Sequence, residues 1–155
     1  PVLAVLAFVL GMTGVPGSAP AAELVTVDLL VLYTGAANDR YAGNAEARIQ
    51  HVVAVANQVY EDSQVPLRLR LVHAEQVSYS ETNSSSRALD HLTRNHSLHD
   101  RAASLRNRYG ADFVTLMRPY VGDGVCGIAW LGGYNRPGVF TSWDAAYAYS
   151  HVSIN

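Results

Sequence analysis

The chain has 155 residues, of which 49% are hydrophobic and 15% are charged, and its formal net charge at neutral pH is −2. This length and apolar content suffice for one globular domain with a core and are too small for two. The weak negative charge provides no electrostatic footprint for nucleic acid or an anionic membrane, so we expect neither as a partner.

Residues 1–22 differ in composition from the rest of the chain. An apolar run from Val2 to Leu10 leads through glycine and proline to the small residues Ala19, Ala21 and Ala22. This pattern is typical of a secretory signal peptide, and the run is too short to span a bilayer. The start lacks an initiator methionine and a basic segment, so a buried N-terminal strand or helix is the alternative, and we expect the chain to be a fragment. We predict a signal peptide over residues 1–22, a mature domain over residues 23–155, and an extracellular or periplasmic location.

The first half of the mature domain predicts two strands that flank a helix. Residues 26–34, TVDLLVLYT, are nearly continuous in apolar β-formers, which indicates a strand covered on both faces. Asn44 then offers an N-cap for a helix with apolar residues at helical spacing. In residues 67–77, LRLRLVHAEQV, leucine alternates with arginine, which predicts a half-buried strand toward an outer position of the sheet.

The second half predicts two helices and three extended segments. The helices cover about residues 87–94 and 98–109; Ser97 and Asp100 have the spacing of a capping box, and Gly110 is a stop signal. Extended segments are predicted at residues 111–117, 127–131 and 146–154. The resulting βαβαβ order predicts an α/β fold with a mixed, mostly parallel twisted sheet and helices packed against it.

Gly122, Gly124 and Gly127 have the spacing of a dinucleotide-binding fingerprint. Such glycines bind a pyrophosphate only between a strand and the N-terminus of a helix. Here Pro119 separates them from the preceding strand, and the glycine-rich, proline-containing residues that follow would break a helix. We therefore reject the dinucleotide interpretation.

Side chains that could perform catalysis form no complete set. The six histidines include no pair four residues apart, which excludes an HExxH helix within this sequence. His96, His99 and Asp100 come closest to a metal-ligand cluster, yet at a helix start all three can simply be solvated. His51 is predicted to lie on the surface. We accordingly predict no catalytic residue and no metal ligand in this chain.

Cys126 is the only cysteine of the chain. In a secreted protein an odd cysteine suggests a disulfide partner elsewhere, whereas a small buried hydrophobe is the equally weighted alternative. Both interpretations stay open at this stage.

Four segments in order resemble the N-terminal portion of reprolysin-like metzincin zinc peptidases, closest to the secreted bacterial peptidyl-Asp metalloendopeptidase type. They are VDLLVLYTGAA, AVANQVYEDSQVPLRLRLV, LRNRYGADFVTLM and CGIAWLGG. The resemblance implies a polypeptide substrate and a zinc cofactor in the full-length enzyme. Members carry HExxHxxGxxH in a helix after the strand matching residues 146–154, so the resemblance implies that the zinc ligands, the general base and a partner for Cys126 lie outside this chain, which alone would bind no zinc and be inactive.

The resemblance also implies that residues 127–131 form an antiparallel edge strand above the substrate cleft. An extended peptide can pair with such an edge as an added strand. We therefore predict substrate binding by five residues: Gly127, Ile128, Ala129, Trp130 and Leu131. A structural turn with Trp130 in the core is the alternative.

A secreted, non-enzymatic binding module of the von Willebrand A type is the alternative function. That family would place D-x-S-x-S just after the first strand, where this chain has Tyr33, Thr34, Gly35 and Ala36.

Overall fold

The computed structural model describes residues 23–132, 139 and 141–154, so the predicted signal peptide lies outside the described residues. The described elements, in chain order, are β1 (Val25–Thr34), α1 (Gly35–Arg40), α2 (Ala45–Asp62), β2 (Leu67–Val77), α3 (Ser85–Thr93), α4 (Ser97–Tyr109), β3 (Phe113–Pro119), β4 (Gly127–Ala129), a 3-10 turn (Asp144–Tyr147) and β5 (Tyr149–Ile154). No helix within these ranges is long and apolar enough to cross a bilayer.

The strands form one five-stranded sheet in the order β2-β1-β3-β5-β4. The pairs β1–β2, β1–β3 and β3–β5 are parallel, and β4 is antiparallel to β5. This arrangement confirms the predicted mixed, mostly parallel α/β fold. It also confirms that the half-buried strand β2 lies at an outer position.

Successive side chains of the central strands pack alternately into two hydrophobic cores, one on each face of the sheet. Leu30, Leu32 and Leu116 pack with α3 and α4 in the first core. Val31, Tyr33 and Met117 pack with α1 and α2 in the second core. Because successive strand residues point to opposite faces, a strand covered on both sides must be apolar throughout, as β1 is.

Helix starts differ from the predictions in their capping groups. The short α1 was not predicted; Thr34 Oγ1 accepts a hydrogen bond from Ala37 N at 3.3 Å and caps it. Asn44 precedes α2 as predicted, but its side chain makes no cap hydrogen bond. The predicted Ser97 cap is wrong, because His96 is the N-cap and its Nδ1 accepts from Leu98 N at 3.0 Å.

The predicted end of α4 is confirmed, whereas the three later strands differ in extent from the predicted segments; the strand predicted over residues 111–117 is β3, Phe113–Pro119. Gly110 ends α4 in the left-handed conformation with φ 65°, as its stop signal predicted. The strand predicted over residues 146–154 begins only at Tyr149, because the 3-10 turn occupies Asp144–Tyr147. The segment predicted over residues 127–131 is a strand only at Gly127–Ala129.

Candidate functional site

Strand β4 lies at one edge of the sheet, and among the described residues only β5 pairs with it. Gly127 faces Val152, Ile128 faces His151 and Ala129 faces Ser150. Ser153 N donates to Cys126 O at 2.8 Å, which makes residue 126 a hydrogen-bonded position of the ladder. Since such positions alternate in an antiparallel pair, Ile128 also turns its backbone groups toward β5, and Gly127 and Ala129 turn theirs outward.

The five residues predicted to bind substrate divide between the two faces of this edge. Gly127, Ala129 and Leu131 are exposed, and Leu131 is 74% accessible. Ile128 and Trp130 are partly buried and pack against the first core. The structure thus places two small residues with outward backbone groups on the free edge, and Trp130 packs against the first core while it stays partly exposed.

The opposite edge of the sheet is closed at Leu69 of β2. Asn57, on α2, accepts from Leu69 N at 2.7 Å and donates its Nδ2 to Leu69 O at 2.9 Å. Its amide therefore occupies both backbone groups that another strand would need at that residue. Sequence reasoning missed this contact, because an asparagine in the polar part of a helix gives no signal of its partner.

Trp130 fixes the end of β4 to α3 and to the 3-10 turn. Its Nε1 donates to Thr93 Oγ1 at 2.7 Å, and the guanidinium of Arg94 lies 5.5 Å from its ring centroid. The Tyr147 ring meets it edge-on, with 5.7 Å between centroids. Thr93 and Arg94 were not singled out from the sequence.

The loop before β4 contains the first two glycines of the rejected dinucleotide fingerprint, Gly122 and Gly124. Gly122 and Gly124 both have φ 79°, a conformation that favours glycine. Between them Asp123 accepts from Ser85 N at 2.6 Å, which holds the pKa of its carboxyl below the usual value. Gly127 begins a strand instead of a helix, so the element that would bind a pyrophosphate does not follow it.

A fully buried Arg118–His151 pair lies on the α3 side of the sheet, next to β4. Arg118 Nε donates to His151 Nε2 at 2.8 Å, so the neutral imidazole carries its proton on Nδ1. Burial, followed by the nearby Arg118 charge, lowers the pKa of His151 to about 4. His151 is also the residue that faces Ile128, which places this pair directly behind the candidate edge.

The described residues do not fit a zinc site. No group of three or more His, Cys, Asp and Glu side chains in this part of the chain could hold a metal ion. In the cluster considered from sequence, His96 Nδ1 accepts from Leu98 N, and His99 Nδ1 lies 3.2 Å from Leu92 O. These two ring nitrogens are thus occupied by contacts at the α3–α4 junction.

Two further sequence expectations concern exposure. His51 is exposed on α2, as predicted. Cys126 is a free, exposed thiol, so the interpretation of a buried small hydrophobe is wrong.

Curated relatives share the sequence over most of this chain. The peptidyl-Asp metalloendopeptidase of Pseudomonas aeruginosa is 38% identical over 145 residues, which cover 89% of this chain and 24% of that protein. The protein of the same name from Xanthomonas campestris pv. campestris is 33% identical over 132 residues, 81% of this chain and 31% of that protein. The chain therefore spans about a quarter to a third of the length of these relatives.

A solved structure and a family model cover the same region. A chain in a structure described as a chaperone-substrate complex superposes with a TM-score of 0.63 at 23% identity, over 83% of this chain and 20% of that chain, and it supports the fold alone. The family model for reprolysin-like metallo-peptidases of family M12B matches residues 24–152. Because this match covers more than four-fifths of the chain, including the whole of the mixed sheet up to β5, the chain belongs to the reprolysin-like M12B family of metallo-peptidases.

Proposed function

We propose that this chain is the N-terminal part of the catalytic domain of a secreted zinc metalloendopeptidase and that it supplies the strand to which the substrate binds. The family match and the relatives named metalloendopeptidases support the peptidase over a von Willebrand A-like module. In this proposal the zinc ligands and the general base come from sequence outside the 155 residues, and so does a disulfide partner for the exposed Cys126.

The outward backbone of β4 is the observation that carries the proposal. Gly127 and Ala129 are exposed, and no described residue bonds to their outward N–H and C=O groups. An extended peptide can satisfy these groups as an added strand, at a net gain of about 1 kcal/mol for each hydrogen bond. Glycine and alanine leave room for the guest backbone, and Leu131 extends the exposed surface beyond the strand.

Substitution of Ala129 by proline tests the role of this edge. Proline removes the outward N–H of residue 129, fixes its φ at about −65° and puts a ring carbon where the amide hydrogen was; edge strands tolerate it where that group faces solvent. In the longer protein that contains this chain, we expect Ala129→Pro to lower kcat/KM for peptide hydrolysis about fivefold or more, because one hydrogen bond to the substrate backbone is lost.

Ala129→Ser is the matched control, since it keeps the N–H and adds a small side chain. It should retain the parent kcat/KM within about a factor of two. An Ala129→Pro enzyme with the parent kcat/KM would show that the substrate does not pair with this edge. The 155-residue chain alone is the companion sample: stoichiometric zinc or peptide turnover there would contradict the proposed division of the catalytic groups.

A further inference from the structure

Helix α3 contacts both ends of the segment that contains β4. Near the start of the segment, Asp123 Oδ2 accepts from Ser85 N at 2.6 Å, in the first turn of α3. At its end, Trp130 Nε1 donates to Thr93 Oγ1 at 2.7 Å, on the last residue of α3. One helix thus spans the edge segment, residues 123–130, from end to end.

The edge segment needs such support, because its own ladder is short. β4 has three residues and pairs with β5 on one side only. Near its start, Ser153 adds a hydrogen bond from its Oγ to Val125 O at 3.1 Å. A ladder of this length holds a strand weakly, so the contacts at its two ends determine its position.

Asp123 is suited to hold the first end. The first N–H groups of a helix have no partner within the helix, and the helix dipole favours a carboxylate beside them. Ser85 is fully buried, and its N–H is one of these groups. Asp123 Oδ1 also accepts from Val125 N at 3.2 Å, so the same carboxylate ties the helix start to the residues that lead into β4.

Thr93 is suited to hold the second end. Its hydroxyl donates its only proton to Leu89 O at 2.6 Å, which leaves an oxygen lone pair to accept from the Trp130 indole. Thr93 is 7% exposed, so water has little access to replace that hydrogen bond. The acceptor for Trp130 is therefore fixed in direction by the helix itself.

We infer that α3 holds the substrate strand at two points, the Asp123–Ser85 and Trp130–Thr93 hydrogen bonds, which we call the mount. Asp123 and Thr93 are then positioning residues for peptide binding. The positioning of β4 follows from the contacts above, and its use for substrate rests on the proposed function. Loss of either contact should free one end of the edge segment, and loss of both should free the whole strand.

The test uses Trp130 as its own reporter. The sample is the 155-residue chain, which has two tryptophans. Trp143 is 81% exposed, so Trp143→Phe leaves Trp130 as the single fluorescent reporter of its contact with Thr93. In that background we compare Thr93→Val, which removes the hydroxyl at equal size, with Thr93→Ser, which keeps it. Asp123→Ala and the double variant complete the set, and amide hydrogen exchange is measured at Ile128 of β4 and at Leu30 of β1.

We expect Thr93→Val to shift the Trp130 emission and to speed exchange of the Ile128 amide about fivefold, while Leu30 exchanges as in the parent. Thr93→Ser should behave as the parent. Asp123→Ala should also speed the Ile128 amide, and the double variant should exceed the product of the two single effects. If the Ile128 amide exchanged at the parent rate in both single variants, the inference that the α3 contacts position β4 would be refuted.

Peptide hydrolysis by the longer protein separates this inference from the function on which it rests. If Thr93→Val frees β4 and raises KM, with rescue by Thr93→Ser, both are supported. If it frees β4 and leaves kcat and KM unchanged, the mount stands and the role of β4 in substrate binding is refuted.

Discussion

Acidification from pH 7 to pH 4 should lower the free energy of unfolding of this chain by about 3 kcal/mol through His151 alone. The pKa of this buried imidazole falls from 6.5 to about 4, first because burial penalises the charged form and second because Arg118 lies beside it. Between these two pKa values His151 is therefore protonated in the unfolded chain and neutral in the folded chain. The stabilising contribution is fully present above 6.5 and is lost as the pH falls toward 4.

Urea unfolding across this pH range measures the effect when the parent is compared with His151→Gln. The glutamine oxygen can accept from Arg118 Nε, as His151 Nε2 does at 2.8 Å, and it does not titrate. Between pH 6.5 and 4 the free energy of unfolding of the parent should fall more steeply than that of His151→Gln, by up to about 1.4 kcal/mol per pH unit. The difference removes the carboxylate titrations that both proteins share.

His51→Gln is the control. It removes a histidine that is exposed on α2 and leaves the buried Arg118–His151 pair unchanged. Its free energy of unfolding should keep the steep fall between pH 6.5 and 4 that His151 causes in the parent. Parallel profiles for the parent and His151→Gln would refute the reasoning, since they would mean that the folded chain accepts the proton on His151 without cost.

Two more predictions concern the surface of α2. Asn57→Ala removes both hydrogen bonds to Leu69 and should lower the free energy of unfolding by about 2 kcal/mol; an unchanged urea midpoint would contradict this. Val52, Val55 and Val59 are 45%, 48% and 54% exposed on one flank of α2, so the isolated chain should self-associate at high protein concentration. Val52→Thr with Val59→Thr should reduce association measured by sedimentation; a parent that sediments as a monomer at high protein concentration would exclude the idea.

The elements that sequence predicted best are those whose burial leaves a periodic pattern. β1 is apolar at nearly every position because both of its faces are covered, and β2 alternates because it lies at an edge. Gly110 marks the end of α4, because few other residues adopt its left-handed conformation without strain. In each case the physical cause acts on the residue itself or on its near neighbours.

The contacts that sequence could not predict join residues far apart in the chain. Arg118 and His151 are 33 positions apart, and each looks like a surface residue until the parallel pairing of β3 and β5 brings them together. The α1 helix has six residues, too few to produce a period. His96 was overlooked as a cap because serine, threonine, aspartate and asparagine dominate that position.

The two edges of the sheet differ in a way that bears directly on function. Unpaired strand edges invite association with other chains, and natural proteins normally block them. Here Asn57 blocks the β2 edge at Leu69, whereas the β4 edge presents the exposed Gly127 and Ala129 and is held at both ends by α3. β4 has three residues and β2 has eleven, so a β4 edge without a binding role would need less support than the β2 edge. Contacts that fix an open edge are expected where a guest strand must find its backbone partners already in place, because preorganisation lowers the entropic cost of binding.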